Sequence, residues 1–177
     1  MPTTYYKPDA FHPVTELLAG IMGKYHRPLK DAEVRVGVLL ASNPDGPALK
    51  HGGYPALAKI SVCPLKDRVK WEHDAELLID EAEWDSLDSL ARAALIDHEL
   101  THLDLVIKEE KLSGNRILQR DDIGRPKLKL RKGDWNGGDG FREVVMRHGE
   151  AAIEYANAVA VATYADRSLP AETDHAQ

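Results

Sequence analysis

The stretch His98-Glu99-Leu100-Thr101-His102 constrains this chain more than any other five residues in it. Histidines four positions apart lie one above the other on a helix, so both imidazoles can reach a single ion there. Glu99, beside the first histidine, sits where a carboxylate can take a proton from a metal-activated water. The pattern therefore asks for a helix, an inward-facing histidine edge and a metal. The letters alone do not decide the matter. With 8 His and 13 Glu in 177 residues, such a pentapeptide arises by chance in roughly one sequence of this composition in forty.

The flanks supply the missing context. Residues 85–97 lead straight into the motif, with Asp85 or Ser86 as cap and Asp88 as negative charge in the first turn. Leu87, Leu90, Ala91, Ala94 and Leu95 recur at helical spacing, and the same face continues through His98, His102 and Leu105. Gly114 reads as the helix stop. Two histidines on a core face with no ion would be costly to desolvate, which favours a metal site. Asp104 reads as solvent-facing, with a supporting contact to the site as its alternative.

A catalytic zinc keeps three protein ligands and one open position, whereas a structural zinc is closed by four. The chain has one cysteine, Cys63, in a strand-like stretch where it reads as a small core residue. The ligands must then be histidine and carboxylate. Residues 140–155 read as a second amphipathic helix, with Phe141, Val144, Val145, His148, Ala152, Tyr155 and Val159 in its apolar stripe. Glu143, Arg147, Glu150 and Glu154 fall on a charged stripe that reads as solvated. His148 is thus the expected third ligand, and Glu150 or Glu154 stay open as carboxylate alternatives.

The remaining organisation is that of one domain, residues 1–169, with a polar tail at 170–177. Hydrophobic content of 43% with 29% charged residues is globular. Residues 1–8 lack the basic-then-apolar order of a signal peptide, no apolar run is long enough to span a membrane, and a lone cysteine gives no sign of an oxidising compartment. A cytoplasmic location is expected. Helix is expected from Val14 to about Tyr25, strands at 33–42, 56–65, 75–80 and 127–131, and loop at 43–54 and 133–140. The order is helix, three strands, helix, strand, helix: an α+β chain with a metal between helices and sheet.

At VGVLLAS (36–42), GGYPALAKI (52–60), ALIDHELTHL (94–103) and FREVVMRHG (141–149), the sequence resembles the metallopeptidases of phages and prophages. The resemblance spans roughly residues 30 to 160. It implies a zincin-like fold, in which a small mixed sheet packs against the HExxH helix and a second, C-terminal helix. It further implies one zinc ion per chain, with His98, His102 and His148 as ligands and Glu99 as general base. The site would then hydrolyse peptide bonds, in the host cytoplasm if the gene is phage-borne. No glycine turn or third histidine closely follows His102, which sets the chain apart from the metzincin pattern.

Tyr54, Tyr155, Arg125 and His51 are the candidates for stabilising an oxyanion. Asp134 and Trp135 read either as a supporting carboxylate and cleft wall or as a turn with an anchoring tryptophan. The alternative function is a metal-binding regulatory or nucleic-acid-associated protein that keeps the motif without general proteolysis. A net charge of −6 weighs against a nucleic-acid surface. The basic stretch 116–132 reads first as the solvated face of an edge strand.

Overall fold

The computed structural model describes residues 2–111, 114–135 and 140–159. In chain order the elements are β1 (Thr4–Tyr6), α1 (Pro13–Tyr25), α2 (Arg27–Asp31), β2 (Val36–Ser42), β3 (Lys50–His51), β4 (Tyr54–Pro55) and β5 (Ala58–Val62). There follow α3 (Leu65–Trp71), β6 (Ala75–Asp80), α4 (Glu81–Ser86), α5 (Ser89–Thr101), β7 (Leu103–Leu105), β8 (Ile107–Glu109), β9 (Arg116–Leu118) and β10 (Leu128–Leu130). The C-terminal part holds α6 (Arg142–His148), a 3₁₀ turn at Gly149–Ala151 and a helical segment at residues 153–159.

Four strands form a mixed sheet in the order β1-β2-β6-β5. The β2–β6 pair is parallel, and β1 and β5 flank it antiparallel. VGVLLAS and AELLID are apolar along most of their length, as expected of the two central strands of the sheet. Leu40, Leu77, Ile79 and Ile60 are buried on the same side, at cross-strand positions or one pair away. They join one core with Val14, Leu18 and Ile21 of α1 and Leu95, Ile96 and Leu100 of α5. Truncating a leucine in such a core costs about 2–5 kcal/mol. Helix α1 is fixed at its start by Pro13 and by the His12 side chain, which accepts from Val14 N–H.

Helix α5 begins where Asp88, the cap, accepts from Ala91 N–H at 2.8 Å; Asp85 and Ser86 belong to the separate helix α4. It ends at His102, well short of the expected stop near Gly114. Leu103-Asp104-Leu105 leaves the helix because it is claimed by strand pairing: Leu103 and Leu105 face Leu130 and Leu128 of β10. Asp104 then faces outward and pairs with Lys129 at 3.3 Å. The motif is thus the last turn of a short helix, with a strand leaving directly beneath it.

The expected single helix over 140–155 is three pieces. Gly149 has φ +57 and ψ −127, a conformation that residues with a Cβ rarely adopt, and it breaks the helix. The break changes which residues face inward beyond it. Arg147 and Glu154, on the stripe expected to be solvated, both turn toward α5, and Glu154 is 3% exposed.

Candidate metal centre

His98 and His102 project from the end of α5 into a cavity of 440 Å³. Leu57, Ala58 and Ile60 of the sheet edge form one wall, Leu130 and Arg131 another, and Ile153 and Glu154 a third. The rings meet edge to face with centroids 5.0 Å apart, and Phe141 packs against both at 5.5 and 4.7 Å.

Each histidine is held at Nδ1. His98 Nδ1 lies 2.8 Å from Glu154 Oε1, and His102 Nδ1 lies 2.9 Å from the carbonyl oxygen of Arg131. A backbone carbonyl can only accept, so His102 carries its ring proton on Nδ1. An ionised Glu154 imposes the same tautomer on His98. Burial works against that charge, but the bonds from His98 and from Phe141 N–H outweigh it and hold the Glu154 carboxyl below the usual range. The two Nε2 atoms then point at one another, 3.3 Å apart. Two imidazole nitrogens at that separation have the spacing of two ligands on one cation. Nitrogens bound at about 2.0–2.1 Å to one tetrahedral zinc stand about 3.3–3.4 Å apart. The pair fits a divalent ion.

Glu99 is 5% exposed and lines the same cavity. Its Oε2 accepts from Ile60 N–H at 2.8 Å, a backbone donor on β5 that faces away from the sheet ladder. One bond from the scaffold therefore fixes the carboxylate beside the histidine pair.

His148 is placed elsewhere. Its Nε2 lies 2.8 Å from Asp97 Oδ2, its ring stands edge-on to Tyr25 at 5.6 Å, and it does not line the cavity. Asp97 and His98 are successive helical residues and so point about 100° apart; a side chain docked on the first is turned away from the second. Sequence periodicity correctly aims His148 inward, but at the carboxylate preceding the motif. Glu150 is exposed on the 3₁₀ turn. Among the described residues, no set of three His, Cys, Asp or Glu is arranged to hold an ion.

Of the oxyanion candidates, His51 lines the cavity, whereas Tyr54, Tyr155 and Arg125 do not. Tyr54 is 77% exposed on the β3–β4 hairpin. Arg125 is engaged with Asp74 and the Glu33 carbonyl. Asp134 accepts from Arg142 N–H at 2.9 Å, which is the turn-and-cap role. Sequence reasoning missed Arg131, whose carbonyl holds His102; a backbone contact of that kind leaves no mark in residue type.

The family model described as "Putative phage metallopeptidase" matches residues 9–164. The chain belongs to the phage metallopeptidase family. That match covers every element from α1 to the segment bearing Glu154, so the histidine pair, its two Nδ1 acceptors and Glu99 all lie inside it. No curated protein and no solved structure matches the chain. Membership in a metallopeptidase family implies a metal cofactor and a protein substrate. Among the described residues, no helix of this family member is long and apolar enough to cross a membrane.

Proposed function

We propose that this metallopeptidase is a zincin-like, zinc-dependent hydrolase of peptide bonds, with His98 and His102 as ligands and Glu99 as general base. The observation that carries the reading is the facing Nε2 pair, 3.3 Å apart with both Nδ1 atoms committed to acceptors. A bound zinc would supply Lewis acidity toward a substrate carbonyl and a water molecule.

The chain's own groups do the rest. Glu99, anchored by Ile60 N–H, accepts the proton of the attacking water and returns it to the departing amine. Glu154 and the Arg131 carbonyl keep both imidazoles in the tautomer that presents Nε2, and their acceptor character raises ligand basicity. Leu57, Leu95, Leu130 and Ile153 give the cavity apolar walls, which favours an apolar side chain beside the scissile bond. A third protein ligand completes a catalytic set. His148 is committed to Asp97, and Glu154 is committed to the outer nitrogen of His98.

The nucleic-acid alternative has less support, since four of the seven cations in the basic stretch at 116–132 make contacts within the chain. Arg120 donates to the Gly124 carbonyl, Arg125 to Asp74, and Arg131 to Glu143, while Lys129 pairs with Asp104. These cations serve internal contacts, and the net charge is −6.

Elemental analysis of protein purified without added metal, together with cleavage of a denatured protein substrate, tests the proposal. About one zinc per chain, lost in His98→Ala and His102→Ala, is expected. A wild-type protein that stays metal-free after exposure to zinc would remove the reading.

A further inference from the structure

The strongest polar cluster outside the metal centre surrounds Asp97, the residue immediately before His98. Its side chain is fully buried. Its carboxylate meets His26 Nε2 at 2.6 Å, Arg147 Nη1 at 2.9 Å and His148 Nε2 at 2.8 Å. Burial disfavours the charge, yet the bond from His26 and the nearby Arg147 hold the carboxyl below its ordinary range. Three donors on one buried carboxylate tie the α1–α2 junction and the end of α6 to the middle of α5.

The cluster does not stop at Asp97. Arg147 Nη2 donates to Glu143 Oε2 at 2.7 Å, and the other oxygen of Glu143 accepts from the Arg131 guanidinium. Arg131 in turn supplies the carbonyl that holds His102 Nδ1, and its own N–H donates to the His102 carbonyl at 2.9 Å. On the other side of Arg147, the chain passes through the Gly149 turn to Glu154, whose Oε1 holds His98 Nδ1 and accepts from Phe141 N–H at 3.1 Å. The acceptors of both histidines are therefore carried by elements that Arg147 fastens to Asp97.

We infer that Asp97 and Arg147 are positioning residues: the path Asp97–Arg147–Glu143–Arg131 seats the two Nδ1 acceptors and so sets the metal affinity of the HExxH pair. Neither residue lines the cavity, so neither acts on substrate. The inference rests on the proposal that His98 and His102 bind the ion. It also gives His148 a role as part of the fastening, without ligation.

The test is zinc affinity, measured by competition with a chromophoric chelator on metal-free protein, alongside thermal unfolding of the same metal-free samples. Arg147→Met keeps the bulk of the side chain and removes both of its polar links. It is expected to weaken zinc binding about 10–100-fold, the range for loss of groups that orient metal ligands. Glu143→Gln, on a half-exposed side chain, preserves the fold and cuts the path toward His102; a smaller loss is expected. The two losses should be less than additive when combined, because they interrupt one path.

A fastening that serves stability alone would shift the unfolding midpoint and leave the zinc affinity of the folded protein unchanged. Affinities within about twofold of wild type in both variants would overturn the inference and leave the metal assignment standing. Absence of zinc binding in wild type would instead overturn the assignment on which it rests.

Discussion

Glu154 Oε1 stands 2.8 Å from His98 Nδ1 across 56 residues of chain. The bond leaves Nε2 of His98 aimed at Nε2 of His102. A carboxylate in this position fixes the tautomer and makes the imidazole a better donor to a metal. Glu154→Gln keeps the shape and an acceptor oxygen but removes the charge. The expected result is a zinc affinity lower by about 10–100-fold, read by chelator competition, with the far-ultraviolet spectrum unchanged. Unaltered affinity would show that the contact is incidental.

Glu99 and Ile60 form the other decisive contact, a backbone N–H bound to the carboxylate at 2.8 Å. Glu99→Gln retains an oxygen able to accept that bond, so the fold and the metal should persist. Turnover should fall by about 10²–10⁴-fold, the usual contribution of a positioned base. Peptidase assay and metal analysis on one preparation check both halves. Full activity in the variant would assign the base elsewhere.

Gly149 is strained territory for any other residue. Nothing lies within 4 Å of where a Cβ would stand, so Gly149→Ala carries a backbone cost with no steric clash. That cost is about 1–3 kcal/mol, and each kcal/mol lowers the melting temperature by roughly 2–4 °C at this chain length. Thermal unfolding reads it directly. A neutral or stabilising substitution would mean that the turn relaxes without effect on α6.

Acid should loosen the protein at Asp121. Burial raises this carboxyl, but bonds from Arg125 N–H, Ile123 N–H and Arg68 hold it below the ordinary value. Its folded pKa lies below the unfolded value of about 3.9. The contribution is therefore complete above that value and is lost as pH falls through the folded one. Wild type should lose denaturant stability between about pH 5 and pH 2. Asp121→Asn should be less stable at neutral pH and flatter across that interval, and an equal slope in both would exclude Asp121 as a contributor.

The motif helix, the strands at 36–42 and 75–80 and helix α1 were legible because each shows its own period: 3.6 for LLAGIM and ARAALIDHELT, near-continuous apolar character for VGVLLAS. The end of α5 was not. LDLVIK continues as apolar as the helix before it, and only pairing with Leu128 and Leu130 turns it into a strand. The C-terminal helix misled in a different way. A continuous 3.6 period put Arg147 and Glu154 in solvent, whereas Arg147, within α6, reaches Asp97 and Glu154, carried past the helix break at Gly149, reaches His98.

The sequence by itself determined that a histidine pair and a carboxylate share one helix, because four-residue spacing on a helix is local geometry; that the motif is the last turn came from the pairing of β7 with β10. The sequence also pointed to the family. Which groups stand behind the histidines was decided by the tertiary structure. Glu154, the Arg131 carbonyl and the Asp97 cluster come from segments 29 to 71 residues from their partners. Nothing in residue type or spacing encodes a contact that exists only once β10 has paired beneath α5 and the chain has turned at Gly149.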